Sequence, residues 1–182
     1  MKQLIIFIIL FIVIFILSYR SLKHPSSHGF YRFFGWVGTL WICVHNLPFW
    51  FYNMFQWNQV ISNILITYSL VLVVWGGLFL IKKGKLDNSR EEDHLFGFEK
   101  TAHLVETGIY RYIRHPLYAS LFFLTWGVFF KNISLISFVI TLIASLFYIL
   151  TMITEEKENR TYFGDSYKVY MNKTKMLIPY IV

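Results

Sequence analysis

Apolar residues dominate five stretches of the chain, which predict membrane helices. These stretches cover roughly 4–19, 33–55, 60–81, 117–130 and 133–153. A helix needs about 20 residues to cross the hydrocarbon core of a bilayer, and the third and fifth stretches reach that length. Strict apolar–polar alternation, the pattern of a membrane β-barrel, is absent. The pattern therefore predicts an all-α integral membrane protein with about five transmembrane helices.

The first stretch, 4–19, is expected to stay as an uncleaved helix. A secretory signal peptide has a shorter apolar region followed by small residues at a cleavage site. This stretch is longer, and Tyr19 and Arg20 follow it. It therefore predicts a membrane helix.

The fourth stretch, 117–130, is short for a membrane helix. Its residues span about 21 Å at about 1.5 Å per residue, whereas the hydrocarbon core is about 30 Å thick. Extending the helix backwards brings Arg114 and His115 to membrane depth, which is costly unless they line a polar cavity or bind a ligand. Pro116 suits the first position of a helix, where free N–H groups favour an anionic group.

Basic residues predict the orientation in the membrane. Most Lys and Arg residues lie in the loops 20–32 and 82–114 and in the tail after 153, whereas 53–59 has none. Cytoplasmic loops carry the excess of Lys and Arg. The two long loops and the C-terminus are therefore expected in the cytoplasm, with the N-terminus outside, and an odd number of crossings agrees with this arrangement.

Composition supports a membrane protein with one domain. Of the 182 residues, 56% are hydrophobic and 15% are charged, against about 25% charged in soluble domains. We expect one domain over 1–182, with three transmembrane helices in 1–81 and two more, followed by an amphipathic tail, in 82–182. The net charge is +7, but the chain lacks the combination of basic and aromatic residues that is typical of a nucleic-acid-binding module.

No pattern in the sequence indicates a metal site. Cys43 is the single cysteine, so an intramolecular disulfide and a cysteine-based metal cluster are excluded. His94 and His103 lack the spacing of a known zinc site. Both lie in the long polar segment 82–107, whose interleaved apolar residues predict a segment that lies on the membrane surface or folds back as a lid.

The second apolar stretch contains the polar pair His45 and Asn46 shortly before Pro48. Pro48 is expected to kink the helix and to free backbone groups. The polar pair either satisfies those groups or forms part of a functional site, because polar residues at membrane depth are commonly functional.

Paired carboxylates, Glu155 and Glu156, follow the last apolar stretch. At the C-terminus of a helix they oppose the helix dipole, so they require compensation. Arg160, four residues after Glu156, can pair with it; alternatively, the carboxylates bind a cation. The fourth and fifth stretches form a hairpin, which brings His115 to the same cytoplasmic side. The segment around His115 offers positive charge and free N–H groups, and the paired glutamates offer carboxylates. A zwitterion with a further cationic centre, such as S-adenosylmethionine, would suit this combination.

Two sequence blocks carry a family resemblance. "LVETGIYRYIRHPLY" at 104–118, with "EEKENRTYFGDSYKVYM" at 155–171 and a late Ile-Pro at 178–179, resembles the isoprenylcysteine carboxyl methyltransferase family, which is related to membrane phospholipid N-methyltransferases. The resemblance covers about the C-terminal half. It implies an S-adenosylmethionine-dependent methyltransferase with a cytoplasmic cofactor pocket. It also implies a lipophilic or lipid acceptor from the bilayer, either an isoprenylcysteine-like carboxylate or a phospholipid amine.

The resemblance also implies roles for individual residues. Glu156 and Arg114 become catalytic candidates, with Glu156 as a base or as a group that orients the acceptor. Independently of the resemblance, the polar pair His45 and Asn46 of the second apolar stretch is the candidate for substrate binding. The candidates for cofactor binding are Val105, Gly108, Ile109, Tyr110, His115, Pro116, Tyr118 and Glu155.

The chain departs from the family pattern at two positions near the paired glutamates. Thr151 replaces an arginine that many members use for the prenylcysteine carboxylate, and Asn159 replaces a leucine. Two other functions remain as alternatives. Sterol reductases carry a similar R-H-P-x-Y block with a nicotinamide cofactor, and a non-enzymatic transporter or assembly subunit would need only apolar helices with a charged face.

Overall fold

A computed structural model describes residues 1–85, 95–96 and 99–179. Much of the predicted surface segment or lid, including His94, lies outside the described residues. Short 3-10 helices cover Leu47–Phe49 and Gly108–Arg111. The α-helices are α1 (Lys2–Leu22), α2 (His28–His45), α3 (Trp57–Gly84), α4 (Pro116–Phe129), α5 (Leu135–Phe163) and α6 (Asp165–Lys173).

Three of these helices have the length and composition of membrane spans. They are α1, α3 and α5, with mean hydropathies of 2.7, 2.4 and 2.4. The α4 helix is apolar but shorter. The expectation of an all-helical membrane protein is therefore confirmed, whereas the five crossings, which would also require α2 and α4, remain a prediction.

The second apolar stretch does not form one kinked helix. The α2 helix begins at His28 and ends at His45, and Pro48 lies in the following 3-10 helix. A proline lacks the N–H that would continue an α-helix, and it disfavours α conformation in the residue before it. The expectation of a kink at Pro48 is therefore wrong, because the helix stops instead.

Small residues allow α2 to pack closely on α5. A Cβ placed on Gly35 would lie 2.6 Å from Tyr148 Cε1, and one on Gly38 would lie 2.9 Å from the Ala144 Cβ. Small residues bring membrane helices close enough for extensive van der Waals contact. The two glycines thus set the distance between α2 and α5.

Hydroxyl groups link three helices inside the bundle. Thr39 of α2 contacts the Thr125 hydroxyl of α4 at 2.6 Å and the Tyr148 hydroxyl of α5 at 2.7 Å. All three side chains are buried. A buried hydroxyl without a partner is costly, so this cluster favours one arrangement of the three helices.

Amide side chains bind the C-terminal end of α4. Asn46 donates to the Val128 carbonyl at 2.9 Å, Asn58 donates to that of Phe130, and Gln59 donates to that of Lys131. The last carbonyls of a helix have no partner within it. Because neighbouring segments provide these partners, a helix of 14 residues can end inside the protein.

The α2–α5 contact makes a first prediction. Gly35→Ala should lower the free energy of unfolding by about 1–3 kcal/mol, because the new methyl group overpacks the interface with Tyr148. The measurement is the midpoint of thermal unfolding in detergent. Gly77→Ala is the matched control, since a Cβ there meets no atom within 4 Å among the described residues. Equal midpoints for the two variants would contradict this account of the packing.

Candidate active site

The main candidate site is a cavity at the N-terminal end of α4, with an empty volume of about 850 Å³. Residues of α2, α3, α4, α5, α6 and the segments before α4 line it. Seven of the candidate residues from the sequence lie in its wall. They are Val105, Tyr110, Arg114, His115, Pro116, Tyr118 and Glu155.

His115 lies between the two glutamates of α5. Its Nδ1 is 2.9 Å from Glu155 Oε2, and its Nε2 is 3.3 Å from Glu156 Oε1. Burial alone would lower the pKa of His115, but its hydrogen bonds with both carboxylates raise the pKa above the usual value. The ring is therefore expected to be an imidazolium that donates to one glutamate from each nitrogen.

Glu156 lies behind the cavity wall and not in it. Its Oε1 accepts a hydrogen bond from Arg114 Nε at 2.6 Å as well as the contact from His115. Two cations on a single oxygen stabilise the carboxylate form. The geometry therefore favours a role for Glu156 in orienting Arg114 and His115.

The paired glutamates do not lie at a helix terminus, because α5 continues to Phe163. The expected opposition to the helix dipole at the C-terminus therefore does not arise. Arg160 does not pair with the Glu156 side chain, and its Nε donates to the Glu156 backbone carbonyl at 3.3 Å. The Glu156 side chain pairs instead with Arg114 and His115, which lie about 40 residues earlier in the chain.

Arg114 also holds the C-terminal segment against the start of α4. Its backbone N–H donates to the Lys175 carbonyl at 2.8 Å, and its Nη1 donates to the carbonyls of Met171 and Thr174. The Lys175 N–H donates to the Tyr112 carbonyl at 3.1 Å. The segment after α6 is thus fixed beside the cavity.

Tyrosines of α6 and of the 3-10 helix complete this side of the cavity. The Tyr170 hydroxyl donates to the Tyr110 carbonyl at 2.7 Å. Burial raises the pKa of Tyr110, Tyr167 and Tyr170 above the usual tyrosine value. All three phenols are therefore neutral at physiological pH and can donate hydrogen bonds.

A second charged cluster, made of His28, Arg32, Glu99 and Glu158, was not predicted. Arg32 Nη1 donates to Glu99 Oε1, and His28 Nδ1 lies 2.6 Å from Glu158 Oε2. Arg32 and Glu99 line the cavity. Arg32 immediately precedes the second apolar stretch in the sequence, but no sequence pattern predicts that it pairs with Glu99.

The ionised forms of His28 and Glu99 in this cluster are stabilised by neighbouring charges and hydrogen bonds. Burial alone would lower the pKa of His28, but hydrogen bonds to Glu158 and Glu99 raise it to about 10. Burial alone would raise the pKa of Glu99, but the charge of Arg32 holds it below the usual value. At neutral pH, His28 is therefore expected to be a cation and Glu99 a carboxylate.

The remaining candidates lie outside the cavity wall. His45 stacks on Trp41 with 4.5 Å between ring centroids, and Asn46 binds the end of α4 that lies away from the cavity. Ile109 and Gly108 belong to the 3-10 helix behind the wall. His45 and Asn46 are thus not among the residues that line this cavity, and their role in substrate binding stays a prediction.

Thr151 and Asn159, which depart from the family pattern near the paired glutamates, have different surroundings. The Thr151 hydroxyl donates to the Phe147 carbonyl of its own helix at 2.7 Å, so it adds no charge to the site. Asn159 lines the cavity and bonds with Tyr167. The replacement of a leucine by Asn159 therefore adds a polar amide to the wall.

The fold and the site define a helical membrane protein with a cavity lined in part by charged residues. A family model described as phospholipid methyltransferase matches residues 57–166. The chain therefore belongs to the phospholipid methyltransferase family, and the resemblance found in its two sequence blocks is confirmed.

A curated relative agrees with this assignment. The chain is 38% identical over 98 residues to the protein-S-isoprenylcysteine O-methyltransferase of Schizosaccharomyces pombe. The match covers 52% of this chain and 37% of that protein. No solved structure matches the chain.

Gly108 makes a prediction about how the site is held. It has φ +65°, and a Cβ there would lie 2.5 Å from the Phe79 ring of α3. Gly108→Ala should destabilise the protein by about 1–3 kcal/mol through steric overlap and backbone strain. Thermal unfolding in detergent provides the measurement.

Gly164→Ala is the matched control for Gly108→Ala. Gly164 has φ +62°, but a Cβ there meets no described atom within 4 Å. Gly164→Ala should therefore lose only the stability that is due to backbone strain, without the steric overlap. A Gly108→Ala protein that unfolds at the same temperature as Gly164→Ala would show that the contact with Phe79 is unimportant.

Proposed function

We propose that the protein is an integral-membrane, S-adenosylmethionine-dependent methyltransferase that acts on a lipophilic or lipid acceptor. The observation that carries the proposal is the cavity formed by the two sequence blocks of the family. Membership of the phospholipid methyltransferase family supports the reaction class, and the curated relative is named as an O-methyltransferase.

The cavity residues fit S-adenosylmethionine. Glu155 offers a carboxylate for a cationic group, and the neutral phenols of Tyr110, Tyr167 and Tyr170 offer hydrogen bonds for hydroxyl groups. Arg114 and His115 add positive charge for an anionic group.

S-adenosylmethionine, when bound, supplies a methyl group on a sulfonium sulfur. Methyl transfer is an in-line displacement, in which the acceptor forms a bond to the methyl carbon as the carbon–sulfur bond breaks and the sulfur keeps the electron pair. The protein mainly has to orient the two reactants and exclude water. A carboxylate acceptor needs no base, whereas an amine must lose a proton.

We assign the residues of the site accordingly. Arg114 faces the polar end of the cofactor and Glu155 its cationic part, with Val105, Pro116 and Tyr118 forming the surrounding wall. His115, whose two ring nitrogens contact the glutamates, adds positive charge beside the cofactor and positions Glu155. Glu156 acts through Arg114 and His115, which it orients. Gly108 and Ile109 position Tyr110 through the 3-10 helix.

Apolar residues of the cavity support a lipophilic acceptor. Leu80 of α3 and Leu117 and Leu121 of α4 line it together with Trp36 of α2. Burial of an apolar chain against such residues is favourable. We propose a multi-pass topology with the cavity at the cytoplasmic face and the N-terminus outside, as the basic residues predict.

Methyl transfer from radiolabelled S-adenosylmethionine into an extract of native membranes tests the function. Glu156→Gln and His115→Ala should reduce labelling to below about one hundredth of wild type, because displacement of positioning groups by about 1 Å can cost that much. Both variants are expected to insert into the membrane normally.

Asp165→Asn is the control for Glu156→Gln, because it makes the same carboxylate-to-amide change at an exposed position. It should label as wild type does. Wild-type turnover by both site variants would refute the assignment. Binding of NADPH in place of S-adenosylhomocysteine by the purified protein would favour a reductase, and binding of neither would favour a non-enzymatic membrane component.

A further inference from the structure

Arg32 is a buried arginine in the wall of the cavity and comes from α2. Arg32 is 1% exposed, although arginine is rarely buried unless it is paired. The α2 helix lies outside residues 57–166, to which the family model matches. The role of Arg32 in the cavity must therefore be derived from its own contacts.

The contacts of Arg32 use only part of its guanidinium group. Nη1 donates to Glu99, and Cζ lies 4.2 Å from the ring centroid of Phe96 and 5.1 Å from that of Trp36. Within the described ranges, Nε and Nη2 are buried and have no partner at strict hydrogen-bonding geometry, although the Tyr118 phenol lies close enough to interact with the guanidinium. Buried N–H groups without a partner are unfavourable, which indicates that a further acceptor binds to Arg32.

Glu99 is shared among several donors and does not serve Arg32 alone. Its Oε2 lies 3.5 Å from His28 Nε2 and accepts the Phe96 N–H at 2.9 Å. His28 in turn is 2.6 Å from Glu158. Glu99 is thus occupied by Arg32 Nη1, His28 and Phe96 and does not bond to Arg32 Nε or Nη2. A carboxylate of a ligand is a suitable acceptor for these two groups.

The neighbours of Arg32 suit a carboxylate that belongs to a zwitterion. The phenol of Tyr118 lies beside the guanidinium and lines the same cavity, so it can add a hydrogen bond to an anion. Glu155, another residue of the wall, can bind a cationic group of the same ligand. Arginine binds carboxylates through parallel N–H bonds from a planar fork.

We propose that Arg32 binds a carboxylate of a ligand held in this cavity. The inference rests on the proposed function, which offers two sources: the carboxylate of the S-adenosylmethionine amino-acid group, and a carboxylate on the methyl acceptor. Both sources share the same chemistry at Arg32. They differ in which binding or transfer step depends on the residue.

The first experiment measures the affinity of purified protein in detergent for S-adenosylhomocysteine and for its decarboxylated analogue. If the cofactor is the source, Arg32→Gln weakens binding of S-adenosylhomocysteine by about 10- to 100-fold and leaves the affinity for the analogue unchanged. Arg32→Lys, which keeps the charge but loses the fork, shows a smaller loss. Arg20→Gln removes an exposed arginine of α1 that lies outside the cavity and should bind both compounds as wild type does.

The second experiment detects a carboxylate on the acceptor. Wild-type protein is incubated with radiolabelled S-adenosylmethionine and native membrane extract, and label released by mild alkali as methanol reports methyl esters. If the acceptor is the source, Arg32→Gln reduces this base-labile label about 10- to 100-fold and binds S-adenosylhomocysteine normally.

Several outcomes overturn the proposal. Equal loss of affinity for S-adenosylhomocysteine and its decarboxylated analogue would make Arg32 a structural residue, as would failure of both Arg32→Gln and Arg32→Lys to fold. Normal affinity together with normal base-labile labelling in the variants would also refute it. Failure of the proposed function is a separate result, because wild-type protein would then bind neither compound.

Discussion

The ion pairs of His115 with Glu155 and Glu156 are the interaction on which the site depends. His115 is the residue before α4, and the glutamates belong to α5, so these contacts join two helices of the hairpin beside the cavity. Charged groups with such low exposure are stable only when they are paired and hydrogen-bonded. Removal of His115 deprives Glu155 of this partner and leaves Glu156 with Arg114, and for this reason the three residues act as a unit. Arg114 extends the unit to the segment after α6, which makes the last part of the described chain a component of the site.

The scaffold meets two opposing requirements. Its outer surfaces are apolar, as required in a bilayer, while its interior has to hold charges at one end of α4 and backbone carbonyls without helical partners at the other. The first problem is solved by matching charges from separate elements, such as Arg32 of α2 with Glu99. The second is solved by amide side chains such as Asn46, which bind the last carbonyls of α4. The short α4 helix can end inside the protein because neighbouring segments bind its last carbonyls.

The sequence was most informative where neighbouring residues act together. Apolar stretches predicted α1, α3, α4 and α5 to within a few residues at most ends, and the contiguous block around His115 predicted one wall of the cavity. The start of α2 was missed because its first turns contain His28 and Arg32, which interrupt the apolar pattern but are buried by ion pairs. Glu99, which contacts both residues, is 67 residues from Arg32, and no local spacing indicates that pairing. The end of α5 was placed too early for a similar reason, since its last turns are polar residues stabilised by contacts with other segments.

The length of α5 has a consequence for how the protein can vary. One face of this helix has Ala144 and Tyr148 against the glycines of α2, and further along it has Met152, which is buried, and Glu155 in the cavity wall. Ala144 and Glu155 are separated by about three helical turns, so they share a side of the helix. Insertion or deletion of a single residue between them would rotate one group relative to the other by about 100°. The number of residues between Ala144 and Glu155 therefore sets the helix packing and the position of the cavity wall together. Related chains can change the identity of residues along this part of α5, but they cannot readily change their number.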